Sequence, residues 1–203
     1  TLPVSTATVG IFTYNLVSVT DASTTACSQS QSGSATVTVN PLPSLVVTNP
    51  SEVCVPNTID LTSTTTGSSS GLSYSYWNDN ATTVSITNPN SIATSGTYFI
   101  KGTDANGCSS VKPVLVKINP LPTATISGTT SFTVCQNATQ PILTFTGANA
   151  TPPYVFQYKI NSGAVQTVST TATNSSVSVA IPTSVVGNYT ITLLIVRSEE
   201  HTS

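Results

Sequence analysis

Apolar residues recur at every second position in short runs, and this alternation limits the possible folds more than any other feature of the chain. In YVFQYKI, the side chains of Tyr154, Phe156, Tyr158 and Ile160 fall on one side of an extended backbone. A period of two is typical of a β-strand with one buried face. Similar runs rich in Val, Ile, Thr and Tyr are separated by Gly, Pro, Asn and Ser, and helical periodicity is missing. The sequence therefore predicts an all-β protein.

Two of the breaks between these runs have the chemistry of hairpin turns. The tripeptide NSG at 161–163 precedes AVQTV, and Asn106-Gly107 lies between TYFIKGT and SSVKPVLV. Asn-Gly favours the tight turn that joins two antiparallel strands, because both residues tolerate a positive φ angle. Each break predicts a hairpin.

Internal repeats organise the chain. The tetrapeptide NPLP occurs at 40–43 and at 119–122, Cys27 and Cys108 are 81 residues apart, and so are Cys54 and Cys135. The segments GIF, GTY and GNY share a glycine two residues before an aromatic side chain, and each is predicted to open a strand. A fixed period of this kind indicates tandem copies of one structural unit.

These repeats predict three domains, of which only the middle one is complete. Residues 1–43 would carry the last two strands of a domain, 44–122 a whole domain of about seven short strands, and 123–196 a domain that lacks its last strand. The chain is then expected to be a window cut from a longer protein. Its strand ITLLIV at 191–196 would have an exposed edge that promotes association between chains.

The last seven residues, RSEEHTS at 197–203, break the repeat pattern with an abrupt rise in charge. They hold the only histidine, His201, and two acidic residues, Glu199 and Glu200. The segment resembles the in-frame translation of a sequencing-library adapter, as would occur in a metagenomic fragment. We therefore expect a non-native tail without contacts to the fold.

The four cysteines indicate disulfides instead of a metal site. None lies in a CxxC pair, and zinc sites need such closely spaced ligands. Two pairings respect the repeat: Cys54 with Cys108 inside the middle domain, or Cys27 with Cys54 and Cys108 with Cys135 across the linkers. The second pairing would join residues about 25 Å apart, whereas a disulfide needs Cα atoms within about 7 Å.

The topology of an immunoglobulin-like sandwich favours one of the two cysteine pairings. Its first strand starts at the pole that also holds the loop between its last two strands. This topology predicts a Cys54–Cys108 disulfide and leaves Cys27 and Cys135 without partners. A disulfide in each domain would imply an oxidising, extracytoplasmic compartment.

Low charge excludes several classes of partner. Only 6% of the residues are charged and the formal net charge is −2. Nucleic-acid binding needs clustered Lys and Arg, but the four lysines are scattered. The longest apolar run is far shorter than the roughly 20 residues of a membrane-spanning helix, so we expect neither nucleic-acid binding nor membrane insertion.

Four segments together resemble a known group of proteins. GTYFIKGTDANGCSS and VKINPLP are similar to the tandem immunoglobulin-like or PKD-like repeats of large secreted surface proteins of Bacteroidetes, a group that includes gliding-motility adhesins. TPPYVFQYKINSGAVQTVSTT and VGIFTYNLVSVTDASTTACSQ resemble the front and back of a second repeat subtype. The resemblance covers nearly all of the chain except the tail. It implies tandem β-sandwich domains, secretion to the cell surface, and a role in adhesion or as a spacer next to further repeats.

No catalytic or cofactor site is expected. Without His201 the chain offers no Ser-His or Cys-His pair. Asp79 and Asp104 lie in the turn-like strings WNDN and TDANG, where aspartate commonly forms turns. TDANG also resembles the opening of a calcium loop, but the later glutamate ligand is missing. A hairpin turn is the preferred interpretation.

Two functions of different class remain. Domains joined by proline-stiffened NPLP linkers would form a stalk or spacer, with neighbouring repeats as partners. Alternatively, the chain would be a carbohydrate-binding module accessory to an extracellular enzyme, with Trp77, Tyr74 and Tyr76 contacting surface glycans. We expect Trp77 to pack in the core between two sheets, and its exposure would discriminate the two functions.

Overall fold

The computed structural model describes residues 3–128 and 133–198 and is all β apart from one single-turn 3-10 helix within these residues. The first part of the chain contains β1 (Gly10–Asn15), β2 (Ser18–Thr20), β3 (Ser28–Ser30) and β4 (Ser34–Val39). The middle part contains β5 (Val53–Cys54), the 3-10 helix (Leu61–Thr64), β6 (Ser73–Trp77), β7 (Gly96–Thr103), β8 (Ser109–Val116) and β9 (Ile118–Asn119). The last part contains β10 (Thr123–Ser127), β11 (Ile142–Ala148), β12 (Tyr154–Ile160), β13 (Gln166–Ser169), β14 (Ser176–Ala180) and β15 (Ile191–Ser198).

These strands form six small sheets. β1 pairs with β4 and β2 with β3, while three strands associate in the orders β6-β7-β8, β10-β11-β14 and β13-β12-β15. The pair β5-β9 is parallel, in contrast to the antiparallel pairs β1-β4, β6-β7 and β11-β14. The prediction of an all-β chain is confirmed.

The described residues fall into two compact units. The first unit is drawn from Thr1–Asn49, Leu61–Pro89 and Thr97–Val114, and the second from Pro50–Asp60, Asn90–Gly96 and Leu115–Ser203. Residues of the predicted 44–122 domain contribute to both units, and the three domain boundaries stay predictions.

In the second unit, two three-stranded sheets pack face to face. Phe145 on β11 lies 5.7 Å from Phe156 and 5.1 Å from Tyr158 on β12, measured between ring centroids. Along β12, Tyr154, Phe156 and Tyr158 are buried and alternate with half-buried residues. The period of two in YVFQYKI therefore predicted the buried face correctly, and the aromatic side chains fill the space between the sheets.

Both predicted hairpins form. β12 and β13 pair antiparallel across 161–165, and β7 and β8 are neighbours across 104–108. The Gly-x-aromatic segments open β1 and β7, but β15 begins only at Ile191, after Tyr189. There, the Thr190 backbone N–H donates to the Asn161 side chain at 2.7 Å, while the Asn161 N–H donates to the Thr190 carbonyl at 2.7 Å.

The predicted separation of the tail from the fold is wrong at its first two residues. Arg197 and Ser198 belong to β15 and are the Cα partners of Val155 and Tyr154, and Ser198 is buried. Strand pairing uses backbone groups, so a change in side-chain composition does not end the ladder. The expectations for Glu199, Glu200 and His201 lie outside the described residues.

Candidate functional site

The aromatic residues of β6 do not form one surface. Tyr74 and Tyr76 are the Cα partners of Gly102 and Ile100, and Ile100 is fully buried. Neighbouring residues of a strand point to opposite faces, so Tyr74 and Tyr76 share the buried side of the sheet. Trp77 lies on the other side.

Gly102 explains why Tyr74 lies on the inner side. A Cβ built at Gly102 would lie 3.1 Å from Leu72, 3.3 Å from Leu45 and 3.7 Å from the Tyr74 ring. The missing side chain therefore leaves the space that these three residues occupy. Tyr74 is inner-facing, although 36% of it stays exposed.

Trp77 occupies the outer face of the β6-β7-β8 sheet. It is half-buried, its Cα partner is Phe99, and its indole N–H donates to the Ser75 hydroxyl at 2.9 Å. On its other side, Trp77 forms a β-bridge with Ser85. The expectation that Trp77 packs between two sheets is therefore not met, because the parity of β6 assigns the inner face to the two tyrosines.

Phe99 and Lys101 of β7 complete this outer face, and sequence reasoning missed both. They are half-buried and alternate with the buried residues Tyr98 and Ile100. The alternation in GTYFIKGT carries this signal, because the residues between the buried positions must face away from the core. We define the outer aromatic face as Ser75, Trp77, Phe99 and Lys101.

The loop that follows Trp77 is held by Asp79. Its carboxylate accepts hydrogen bonds from the backbone N–H groups of Thr83 at 3.1 Å and Val84 at 2.7 Å. These hydrogen bonds lower the pKa of the Asp79 carboxyl below its usual value, and the bond from Thr83 has the largest effect. Asp79 is therefore a turn former, as its string WNDN predicted, and it fixes the rim of the outer aromatic face.

Asp104 closes the β7–β8 hairpin in a related way. Its carboxylate accepts the backbone N–H groups of Asn106 and Cys108, each at 2.9 Å. The Asp104 N–H in turn donates to the Cys108 carbonyl at 3.0 Å. This geometry agrees with a hairpin turn, and within the described residues no cluster of three or more His, Cys, Asp or Glu side chains has the arrangement of a metal site.

An equivalent loop joins β2 to β3. The Asp21 carboxylate accepts the Cys27 N–H at 3.1 Å, and the Asp21 N–H donates to the Cys27 carbonyl at 3.0 Å. Hydrogen bonds from the Ser23 hydroxyl and backbone, together with that from Cys27, lower the pKa of the Asp21 carboxyl. The strings TDASTTACS and TDANGCS therefore form two versions of one loop, which differ by two residues in length.

The predicted disulfide is not formed. All four cysteines lie within the described residues, and the structure joins none of them by a disulfide. Cys54 is the Cα partner of Asn119, which follows β8, whereas Cys108 precedes β8. The eight residues of β8 span about 25 Å at the rise of a strand, far beyond the Cα separation that a disulfide allows.

The disulfide prediction assumed that Cys54 lies at the start of the domain's first strand, beside the β7–β8 hairpin. The residue that lies beside the β7–β8 hairpin is Pro43, whose carbonyl accepts the Ser110 hydroxyl at 2.7 Å. Cys54 comes eleven residues later in the chain. Cys27 and Cys135, which the same argument left without partners, are both exposed.

No protein-family model matches the chain, and no curated protein matches it. Among the described residues, no helix has the length and apolar character needed to cross a bilayer.

Proposed function

We propose that the chain is a non-catalytic repeat segment of a large cell-surface protein and acts as a stalk or spacer. The observation that carries the proposal is the recurrence of one closed loop, in which Asp21 and Asp104 each bind the N–H of the following cysteine. Recurring loops at a fixed sequence period are the signature of tandem domains, which commonly serve as extended supports.

Contacts at the NPLP segments support this function. The carbonyl of Pro43 accepts the Ser110 hydroxyl, and the Asn119 side chain donates to Glu52 at 3.0 Å. A linker tied to the adjacent strands has few accessible conformations, and its prolines restrict it further. Such linkers would transmit force and hold a distal domain away from the cell.

The surface location rests on the resemblance to the Bacteroidetes repeats. The cysteines no longer support it, because the argument for an oxidising compartment depended on the Cys54–Cys108 disulfide. Neighbouring repeats of the same polypeptide are the proposed partners.

Pulling the chain from its two ends in an atomic-force microscope tests the stalk. A load-bearing segment built of folded β-units should unfold in discrete, reproducible force steps and refold on relaxation. A smooth extension without force steps would contradict the proposal.

The outer aromatic face supports a second candidate function, carbohydrate binding. Trp77 and Phe99 lie opposite each other on a face that stays partly open to solvent. Aromatic rings stack on the apolar faces of sugars, and the Ser75 hydroxyl and the Lys101 ammonium would supply polar contacts. This candidate differs from the trio of aromatic residues that we expected, because Phe99 takes the place of Tyr74 and Tyr76.

A glycan array with the full chain tests this second function. If it is correct, Trp77→Ala and Phe99→Ala should each abolish binding, while Val84→Ala, an exposed change in the neighbouring loop, should preserve it. Binding that survives both aromatic substitutions, or no binding by the unsubstituted chain, would exclude this face as a glycan site.

A further inference from the structure

The outer aromatic face has an apolar end and a polar end. Trp77 and Phe99 are Cα partners at the apolar end, and Ser75 and Lys101 are Cα partners at the polar end. The two pairs are two residues apart along each strand, a distance of about 7 Å. All four residues are half-buried. A ligand that covers the aromatic pair therefore lies within reach of the serine and the lysine.

The polar end is rich in hydrogen-bond donors. The indole N–H of Trp77 already donates to the Ser75 hydroxyl oxygen at 2.9 Å. A serine hydroxyl has one O–H to donate, and within the described residues the O–H of Ser75 meets no acceptor. Lys101 carries three N–H donors and no acceptor. This end of the face therefore favours a ligand group that accepts hydrogen bonds.

The protein does not neutralise the charge of Lys101. In the part of the chain that the structure describes, Lys101 forms no ion pair. Two aspartates flank the face along the chain, Asp79 two residues after Trp77 and Asp104 three residues after Lys101. Both direct their carboxylates at backbone N–H groups in their own loops. A half-buried ammonium group without a counter-ion attracts an anionic ligand group.

We propose that the outer aromatic face binds glycans that carry a carboxylate, such as chains of uronic acids. The apolar side of one sugar ring would stack on Trp77 and Phe99. The carboxylate of that ring or of its neighbour would accept hydrogen bonds from Lys101 and Ser75. This inference rests on the second candidate function, carbohydrate binding, and adds the chemical class of the sugar. The spacer function does not depend on it.

Oligosaccharides of galacturonic, glucuronic and mannuronic acid are the probes, and each is compared with its methyl ester. The ester keeps the sugar ring and removes the charge. Trp77 is the only tryptophan of the chain, so its fluorescence reports directly whether the face is occupied. At least one acid should bind the full chain about fivefold more tightly than its ester, and added salt should reduce this difference.

Substitution of Lys101 tests the assigned contact. Lys101→Gln should bind the acid and its ester equally, because the charge that distinguishes the two ligands is removed. Lys112→Gln is the matched control and should keep the preference for the acid. It removes the same charge from an exposed lysine of β8. Lys112 is two residues before the buried Val114 and therefore belongs to the opposite side of the sheet.

Three results would overturn the acidic class while carbohydrate binding stands. They are equal binding of acid and ester by the unsubstituted chain, a preference that survives in Lys101→Gln, and a preference that Lys112→Gln also removes. Absence of binding to acid and ester alike would overturn the inference as well. The glycan array with Trp77→Ala and Phe99→Ala then decides by itself whether the face binds any other carbohydrate.

Discussion

At the scale of single residues, three aspartates shape the loops through one mechanism. Asp21, Asp79 and Asp104 each direct a carboxylate at backbone N–H groups that would otherwise lack a partner in the turn. Aspartate is suited to this role because its short side chain reaches the backbone a few residues ahead. These three acidic residues therefore have structural partners.

Gly147 gives a sharp prediction at this scale. A Cβ built at Gly147 would overlap the ring of Tyr154, which is almost completely buried. The Tyr154 hydroxyl donates to the Ala150 carbonyl, so the ring is held at both ends. Gly147→Ala should therefore destabilise the β10–β15 sandwich by about 1–3 kcal/mol, the usual cost of overpacking a core.

Hydrogen exchange of the full chain, followed by mass spectrometry, measures this effect locally. Peptides from β11 and β12 should lose protection in Gly147→Ala. Thr167→Ala, on the exposed part of β13, is the control and should alter protection by no more than about 0.5 kcal/mol. Unchanged protection in Gly147→Ala would show that Tyr154 can move aside at little cost.

The sequence predicted only part of the outer aromatic face, and there is a physical reason why it could not predict the rest. The alternation in SYSYW separates Tyr74 and Tyr76 from Trp77, but it does not say which set faces the core. That choice depends on β7, whose Gly102 leaves room for Tyr74 and whose Ile100 is buried. It is a contact between segments about 25 residues apart in the chain, and no pattern within β6 contains it.

At the scale of elements, the short parallel pair β5-β9 depends on side chains beside it. Glu52 forms an ion pair with Lys117 at 2.8 Å and accepts a hydrogen bond from the Asn119 side chain. Hydrogen bonds from Lys117 and Asn119 lower the pKa of Glu52 below its ordinary value of 4.5, and the bond from Lys117 has the larger effect. The backbone contributes the Val55 N–H, which donates to the Asn119 carbonyl at 3.0 Å.

The lowered pKa of Glu52 predicts how this pair responds to pH. A carboxyl group whose pKa is lower in the folded state stabilises that state above its unfolded pKa. The stabilisation is lost as the pH falls through the folded value. The Val55 amide should therefore lose protection from exchange in acid, and Glu52→Gln should remove the part of this loss that depends on ionisation.

A double-mutant cycle with Lys117→Gln checks the assignment. Both side chains are about half exposed, so added salt should reduce the effect. If the Glu52–Lys117 contact is responsible, the two substitutions together should alter protection no more than either alone. Additive effects would show that Glu52 acts through other groups.

The strands themselves were predictable to different degrees. Local alternation and turn chemistry predicted β7, β8, β12 and β13 together with their hairpins. The parallel pairing of β5 with β9 was not predicted, because two-residue strands carry no period and their pairing joins residues 65 positions apart. The misplaced disulfide follows from this gap, since β5 determines where Cys54 lies.

At the scale of the whole molecule, recurrence is the main property of the chain. The loop closed by an aspartate occurs twice, at Asp21 and at Asp104. The sequence period predicted this recurrence, while the boundaries between domains depend on contacts that the period does not specify. The proposed spacer function belongs to this scale, because a spacer would act through its length and its links more than through one pocket.

The central claim is that the chain is a stiff spacer, and the distance distribution between two spin labels tests it most directly. One label goes on Cys27 and the other on Thr167→Cys, with Cys54, Cys108 and Cys135 changed to serine. Pulsed electron paramagnetic resonance should give a narrow distribution. It should broaden when the prolines of both NPLP segments are changed to glycine, because proline fixes φ. Equally broad distributions for the two proteins would contradict the account.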